Sequence, residues 1–421
     1  MLTISKFGGT SLKDSAMFLH VTGLVKREPA RRGVVVSAPG RRFAEDQKVT
    51  DLLYACHRLR EEGGDWQAVF SQISARFREI VRQSGAFVNI EAELDSLKAR
   101  IEAGVTEDFL ASRGEYFSAL ILASLLDYQF LDSARWLRFD AKGQVDTVRS
   151  YGLLRSLATR PFVTPGFYGA LPGGEVHVFP RGGSDISASL VAAALDADLC
   201  ENWTDVDGVL MADPRLLPEA KPVRHLTYSE LAELTAVGTQ VLHEGAVRPL
   251  RLGAIPLNIR NTFSPEAAGT LITPDLPKDC RRNTLLCLTG KRHMALVSLE
   301  TEKEGALGKA LDEASVTSDL LTSALGRQTA VIPSDSVQPV VEQLSSHPGR
   351  LSLQDGVALV AAVVAREEEE GPLAADLLTA LKEQNIPLYA IFRPFGGHTL
   401  TLAVPDGDFL PALQALHKTA G

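Results

Sequence analysis

Cysteine is scarce: four residues in 421, at positions 56, 200, 280 and 287. No two of them show the C-x-x-C spacing of a zinc or redox site, so a metal-stapled or disulfide-framed fold is excluded. Such scarcity fits a reducing compartment, with the thiols acting as small buried groups. Positive charge is not concentrated either. The formal net charge is -9 with no long basic block, which argues against a nucleic-acid or anionic-membrane binder. Long apolar runs are missing. The stretch Leu190–Leu195 is too short to span a bilayer. Residues 1–30 lack a basic segment followed by an apolar one, so no signal peptide is expected and the expected location is cytoplasmic. A Walker A loop is also lacking, because no G-x-x-x-x-G-K-[ST] occurs.

What is present reads as an α/β enzyme of two or three domains. Leu2–Phe7 is a strand-like run, followed by a glycine turn and a helical pattern through Met17, Phe18, Val21, Leu24 and Val25. A second apolar run, Gly33–Ala38, completes a βαβ unit and predicts a parallel sheet. Residues 43–135 read as mostly helical without strong interior breakers. Strand signals return at Phe162–Thr164, Val176–Phe179, Leu199–Trp203 and Ile255–Ile259. Helical patterns cover Ile186–Ala197 and Ser229–Val247, the latter opened by a capping box of Thr227 and Glu230.

The Pro- and charge-rich stretch 273–282 reads as a linker. Beyond it, a strand–helix–strand–strand rhythm occurs twice. It runs from Met294–Leu299 and Ala306–Ala314 to Thr329–Ile332, then from Val357–Val364 and Leu373–Glu383 to Leu388–Phe392 and Thr399–Val404. Tandem small α+β units follow from that repetition. The acidic run 366–370 reads as a solvated loop.

Three segments can carry chemistry. Lys6 and the pair Gly8–Gly9, with Thr10, lie between a strand and a helix. Glycines let backbone N–H groups converge on an anion, and the helix start adds partial positive charge. Arg181, Gly182, Gly183, Ser184 and Asp185 form a second such turn, in which Ser184 or Asp185 also suits a helix N-cap. Two such nests in one domain point to a polyphosphate lying between them. The third segment runs from Thr204 and Asp205 through Leu210 and Asp213 to Arg215; as calcium chemistry it fails, because Gly208 comes too early. Ser37, Thr50 and Glu115 are further candidates, although Glu115 also reads as an ordinary first-turn helix glutamate.

In order along the chain, KFGGTS (6–11), VVSA (35–38), RGEYFS (113–118), RGGSD (181–185), TDVDGVLMADPR (204–215), VLH (241–243) and NTFSPEAAGTLI (261–272) resemble the motifs of aspartokinases. The resemblance covers about residues 1–273, and the C-terminal zone resembles tandem ACT domains. It implies an amino-acid-kinase three-layer α/β sandwich with a mostly parallel sheet over 1–274, a linker at 275–282, and tandem ferredoxin-like ACT units over 283–421. These would divide at about 292–355 and 356–421, with the first strand, 283–291, shared.

The implied reaction is ATP-dependent phosphorylation of the L-aspartate side-chain carboxylate, the first step toward lysine, threonine and methionine. Lys6 and Asp185 would be catalytic. Ser37, Thr50, Glu115, Arg181, Gly182, Gly183 and Ser184 would bind substrate. Lys6, Gly8, Gly9, Thr10, Thr204, Asp205, Leu210, Asp213, Arg215, Gln240 and Val241 would hold ATP. Mg²⁺ would be carried mainly by the phosphates, with no dedicated protein metal site. A carboxylate nucleophile is already ionised at neutral pH and needs no general base.

Two departures stand out against that family. Gly238-Thr239-Gln240 stands where many members carry a lysine, and Leu210 where an aromatic is common, which implies altered ATP affinity. Lys48–Asp51 and His243-Glu244 resemble a subset that lacks the lysine. In the C-terminal zone, Glu304–Leu307 and Gly371–Leu373 suit helix starts. Val316–Gly326 and Phe395–His398 depart from the effector-binding pattern. A lysine or threonine effector and an effector-free dimerisation platform both remain open there, with a homodimer expected in either case. A glutamate-type carboxylate kinase and a catalytically silent amino-acid sensor are the alternative functions.

Overall fold

In the computed structural model the chain divides into two compact units. The structure describes residues 1–180, 182–236, 242, 244–276, 285–345, 349–365, 370–393 and 397–419. The first unit comprises Met1–Val209, Pro222–Ala232 and Gln240–Cys280; the second comprises Leu210–Lys221, Glu233–Thr239 and Arg281–Gly421. Two short excursions, one of them carrying the TDVDGVLMADPR motif's second half, therefore group with the C-terminal unit, although the sequence places both inside 1–274.

The first unit is built on an eight-stranded sheet of order β3-β4-β2-β1-β7-β9-β10-β8. Its strands are β1 (Thr3–Phe7), β2 (Arg31–Val36), β3 (Gln129–Phe130), β4 (Phe162–Pro165), β7 (Leu199–Thr204), β8 (His225–Thr227), β9 (Leu257–Asn261) and β10 (Thr270–Thr273). Every pairing is parallel except β9 with β10. The predicted run Val176–Phe179 is instead β6 (Val176–Val178), paired antiparallel with β5 (Tyr168–Ala170) in a separate hairpin.

β1 and β2 are joined by the helix Ser15–Arg27, capped by Asp14 Oδ1 accepting from the Met17 N–H. The chain leaves β1 toward β2 on one side, while β7 pairs with β1 on the other. Strand order thus reverses beside β1, and the crevice at the carboxyl ends of β1 and β7 is where an open α/β sheet binds ligands. Gly8 extends this edge by donating from N–H to the Trp203 carbonyl at 3.1 Å.

The stretch 43–135 is mostly helical as expected, in the helices Val49–Glu61, Trp66–Ser84, Ile90–Ala103, Glu107–Ala111, Arg113–Leu126 and Ser133–Trp136, but it is interrupted, with β3 among them. Gly63, Gly85 and Gly104 adopt positive φ at the pauses, a conformation that glycine reaches without steric cost. The stretch Glu107–Leu126 is long and apolar enough to cross a membrane by length and composition. However, 72% of its apolar window is buried in the fold, as in a core helix. The capping box forms as expected: the Glu230 N–H donates to Thr227 Oγ1 (3.2 Å), and the Thr227 N–H donates to Glu230 Oε2 (2.8 Å). In place of one helix over Ser229–Val247, the described residues form Tyr228–Ala236 and Glu244–Leu252.

The second unit is a six-stranded antiparallel sheet, β12-β13-β11-β14-β16-β15. Its strands are β11 (Leu285–Glu300), β12 (Leu320–Ala324), β13 (Arg327–Pro333), β14 (Arg350–Val364), β15 (Ala390–Phe392) and β16 (Thr399–Pro405). Two strands serve twice. Met294–Glu300 of β11 pairs with β13 and with Arg350–Val357 of β14, completing one βαββαβ unit. Leu285–Lys291 of β11 pairs with Leu359–Val364 of β14, which also pairs with β16, completing the other. His293 (φ 59°) and Gly356 (φ 68°) break the two long strands at the crossover. The shared first strand expected from sequence is therefore half of a reciprocal exchange. Sequence reasoning missed β12 and the helices Val337–Leu344 and Phe409–Lys418, although Val337, Val340, Val341 and Leu344 follow helical spacing.

Candidate active site

Lys6 is on β1, with Asn202 of β7 as its register neighbour. Its Nζ lies 2.7 Å from Asp185 Oδ1, and the side chain is only 11% exposed. Asp185 is in the first turn of the helix Gly183–Ala194. One ion pair therefore ties the N-terminal glycine turn to the mid-chain one. Asn202 Nδ2 donates to the same Asp185 oxygen at 3.3 Å, while its own Oδ1 is buried without a partner. Sequence reasoning missed Asn202; its signal was a pair of polar residues, Glu201 and Asn202, in the middle of a central strand.

The Gly182 backbone is left-handed (φ 64°), and no side chain caps the helix that follows. The N-cap reading of Ser184 and Asp185 is thus not realised, and Asp185 is left to face Lys6. Gly166, after β4, approaches Ser184 so closely that a Cβ there would lie 2.7 Å from its backbone. Phe167, next in sequence, holds φ 78°, a strained conformation for a bulky residue. Its N–H donates to Ser187 Oγ at 3.0 Å, and its carbonyl accepts from the Phe179 N–H at 2.8 Å.

A cavity of about 380 Å³ opens at the carboxyl edge of β1 and β2. Gly9, Thr10, Ser37, Thr50, Glu115 and Asp205 line it, so six candidates from five separate segments, the last of them after β7, meet in one space. The Ser37 N–H donates to the Phe7 carbonyl at 3.1 Å, which sets the two loops side by side. Arg41 and Lys48 also line the cavity and place exposed cations there. Neither had been singled out for this role.

Glu115 is in the first turn of Arg113–Leu126 but is no ordinary helix-start glutamate, because it is buried. Burial drives its carboxyl up to about pKa 8; the Ala38 N–H, its own N–H and the Arg113 charge only partly offset this. Its Oε2 has no hydrogen-bond partner. A buried acceptor facing a cavity calls for a donor from a ligand, and a cation suits it best.

Thr204 closes β7, and its Oγ1 lies 3.2 Å from Asp205 Oδ1. Leu210, Asp213 and Arg215 fall in the second unit. There Arg215 grips Asp213 at 2.6 Å with its side chain 88% exposed. Arg181, Gln240, Val241 and His243 lie outside the described residues, as do Cys280, Phe395, Gly396 and most of the acidic run 366–370. Among the described residues no group of three His, Cys, Asp or Glu side chains is placed to hold a metal.

Backbone turns that converge on an anion, set at a strand-order reversal and bridged by a lysine–carboxylate pair, belong to the phosphoryl-transferring class of α/β enzymes. The model of the amino acid kinase family matches residues 1–261. Aspartokinase 3 of Bacillus subtilis is 28% identical over 99% of this chain and 98% of its own. Lysine-sensitive aspartokinase 3 of Escherichia coli is 27% identical with the same coverage. Among solved structures, the aspartate kinase of Clostridium acetobutylicum aligns over 100% of both chains with a TM-score of 0.91 and 33% identity. Aspartokinase III of E. coli, in complex with lysine and aspartate, aligns over 100% of this chain and 99% of its own, with a TM-score of 0.74 and 25% identity. The chain belongs to the amino acid kinase family and, within it, to the aspartate kinases.

Proposed function

We propose that this chain transfers the γ-phosphoryl group of ATP to the side-chain carboxylate of L-aspartate, giving ADP and 4-phospho-L-aspartate. The observation that carries the reading is the Lys6–Asp185 pair beside a cavity lined by Gly9, Ser37, Thr50 and Glu115. A carboxylate oxygen attacks the γ-phosphorus while the bond to the ADP oxygen breaks. The protein's contribution is position and charge.

In this reading Lys6 and the amides of Gly9 and Thr10 hold the transferring group, Gly8 shapes the turn with its own N–H held by the Trp203 carbonyl, and Asp185 orients Lys6. Glu115, ionised, receives the substrate ammonium. Thr50, Ser37 and the turn Arg181–Ser184 hold its carboxylates. Thr204 and Asp205, with Leu210, Asp213, Arg215, Gln240 and Val241, attend the nucleotide. Mg²⁺ supplies charge neutralisation.

Residues 283–421 are read as the regulatory and dimerising part, and 1–274 as the catalytic part. Lysine or threonine is the effector expected here, and the relative from E. coli, called lysine-sensitive, supports lysine. The first half of β14, Arg350–Gln354, is bonded on one side only and exposes Leu351 and Leu353. An unpaired apolar edge of this kind favours pairing with a second copy. A cytoplasmic location completes the reading.

Trapping the acyl phosphate as a hydroxamate, with aspartate and glutamate compared, tests the assignment. Aspartate-dependent ADP release is expected. Product with glutamate alone, or nucleotide binding without turnover, would overturn it.

A further inference from the structure

We propose that Arg76 is a positioning residue for phosphoryl transfer, locking the N-terminal glycine turn against the loop that forms the substrate side of the cavity. The inference rests on the kinase reading above. Arg76 sits on the helix Trp66–Ser84 with its side chain 4% exposed. It does not line the 380 Å³ cavity, so it acts from behind.

Its guanidinium reaches three carbonyls from two loops. Nη1 donates to Gln47 O at 3.0 Å, and Nη2 donates to Lys13 O at 3.1 Å and to Gly40 O. Lys13 ends the 3-10 turn Thr10–Leu12 that follows Gly8–Gly9. Gly40 and Gln47 belong to the loop between Ser37 and Thr50. On the cavity side the two loops touch backbone to backbone. The Gly40 N–H donates to Gly9 O at 2.8 Å. A Cβ on Gly40 would lie 2.7 Å from the Gly9 carbonyl carbon.

The arrangement costs more than packing would. A buried cation needs compensation, and here it is incomplete. Asp46 Oδ2 is 3.4 Å from Nη1. The Asp46 carboxylate is already engaged by the Arg42 N–H, Nε and Nη2 at 2.8–3.0 Å. Arg76 Nε is buried without a hydrogen-bond partner. An aliphatic residue would fill this helix position without a charge to bury. Only a planar fork with several donors can hold three carbonyls in fixed relation, and lysine cannot. What the fork fixes is the distance from the phosphate turn at Gly9 to the loop between Ser37 and Thr50. Misplacement of reacting groups by about 1 Å can cost about 100-fold in rate.

The test uses Arg76→Lys and Asp46→Asn in the full-length enzyme. It measures kcat per folded molecule, KM for both substrates, ADP affinity by calorimetry, and melting temperature. Arg76→Lys is expected to lower kcat by about 10- to 100-fold while the ADP dissociation constant stays within about threefold. Asp46→Asn, which loosens the same clamp from the loop side, is expected to lower kcat by about threefold or more. A purely structural role would lower the melting temperature and leave kcat per folded molecule alone. The proposal falls if Arg76→Lys turns over within about twofold of the unmodified enzyme, or, should that variant not fold, if Asp46→Asn does. An unmodified enzyme without aspartate-dependent turnover would instead reject the kinase reading itself.

Discussion

Lys6 Nζ and Asp185 Oδ1, 179 positions apart in the chain, lie 2.7 Å apart at the carboxyl edge of the central strands. The pair joins the two glycine turns that the proposed nucleotide binding uses. If Lys6 supplies charge to the transferring group, Lys6→Ala should lower kcat by about 100- to 1,000-fold, read as aspartate-dependent ADP release. Asp185→Asn should produce a loss of similar size. The double variant should be little worse than either single one, because the two act as a unit.

The Glu115 carboxyl, pushed up to about pKa 8 by burial, would link the proposed substrate binding to pH. An ammonium ligand needs the ionised form. Below about pH 8 a proton must leave on binding, so KM for aspartate should fall as pH rises from 6.5 to 8, by up to about tenfold per unit. Glu115→Gln should abolish that dependence and raise KM.

The same group acts on stability with the opposite sign. Its folded pKa lies above the ordinary carboxyl value of 4.5, so between the two values the folded state binds the extra proton. Its contribution to stability is therefore greatest below about pH 4.5 and is lost as pH rises to about 8. Ligand-free Glu115→Gln should melt higher than the unmodified protein at pH 8, measured by calorimetry. An unchanged melting temperature would contradict a buried, unpartnered carboxyl.

Glu201 carries the buried charge network of the first unit. It accepts from Arg31 Nε at 2.7 Å and Nη2 at 2.9 Å, from Trp203 Nε1 at 2.9 Å and from Ser5 Oγ at 2.8 Å. Glu201→Ala would leave Arg31 buried and uncompensated. The expected cost is about 3–5 kcal/mol, read from urea unfolding of the first unit.

If the free edge of β14 carries the proposed dimer, Leu353→Asp should shift the protein to a monomer in light scattering. Leu353 is 49% exposed, so the change should leave the fold intact. A dimer that survives it would move the interface elsewhere.

Much of the fold was legible because local chemistry dictated it. β1 and the helix after it, the Thr227–Glu230 capping box and the tandem rhythm beyond residue 285 all depend on spacing within a few residues. The mostly helical character of 43–135 was legible, but its pauses at Gly63, Gly85 and Gly104 were not, since a left-handed glycine pause carries no periodic signal. β12 was missed because its residues are mostly exposed and show no alternation.

By itself the sequence determined which residues hold chemistry: glycines that admit an anion, Lys6 and Asp185, and the order of motifs along the chain. Only the tertiary structure decided what those residues became. It set Glu115 in a buried place that raises its affinity for a proton, turned Asn202 toward Asp185, and gathered three distant carbonyls onto Arg76. Solvation and through-space geometry govern these outcomes, and neither is written in the spacing of neighbours along a chain.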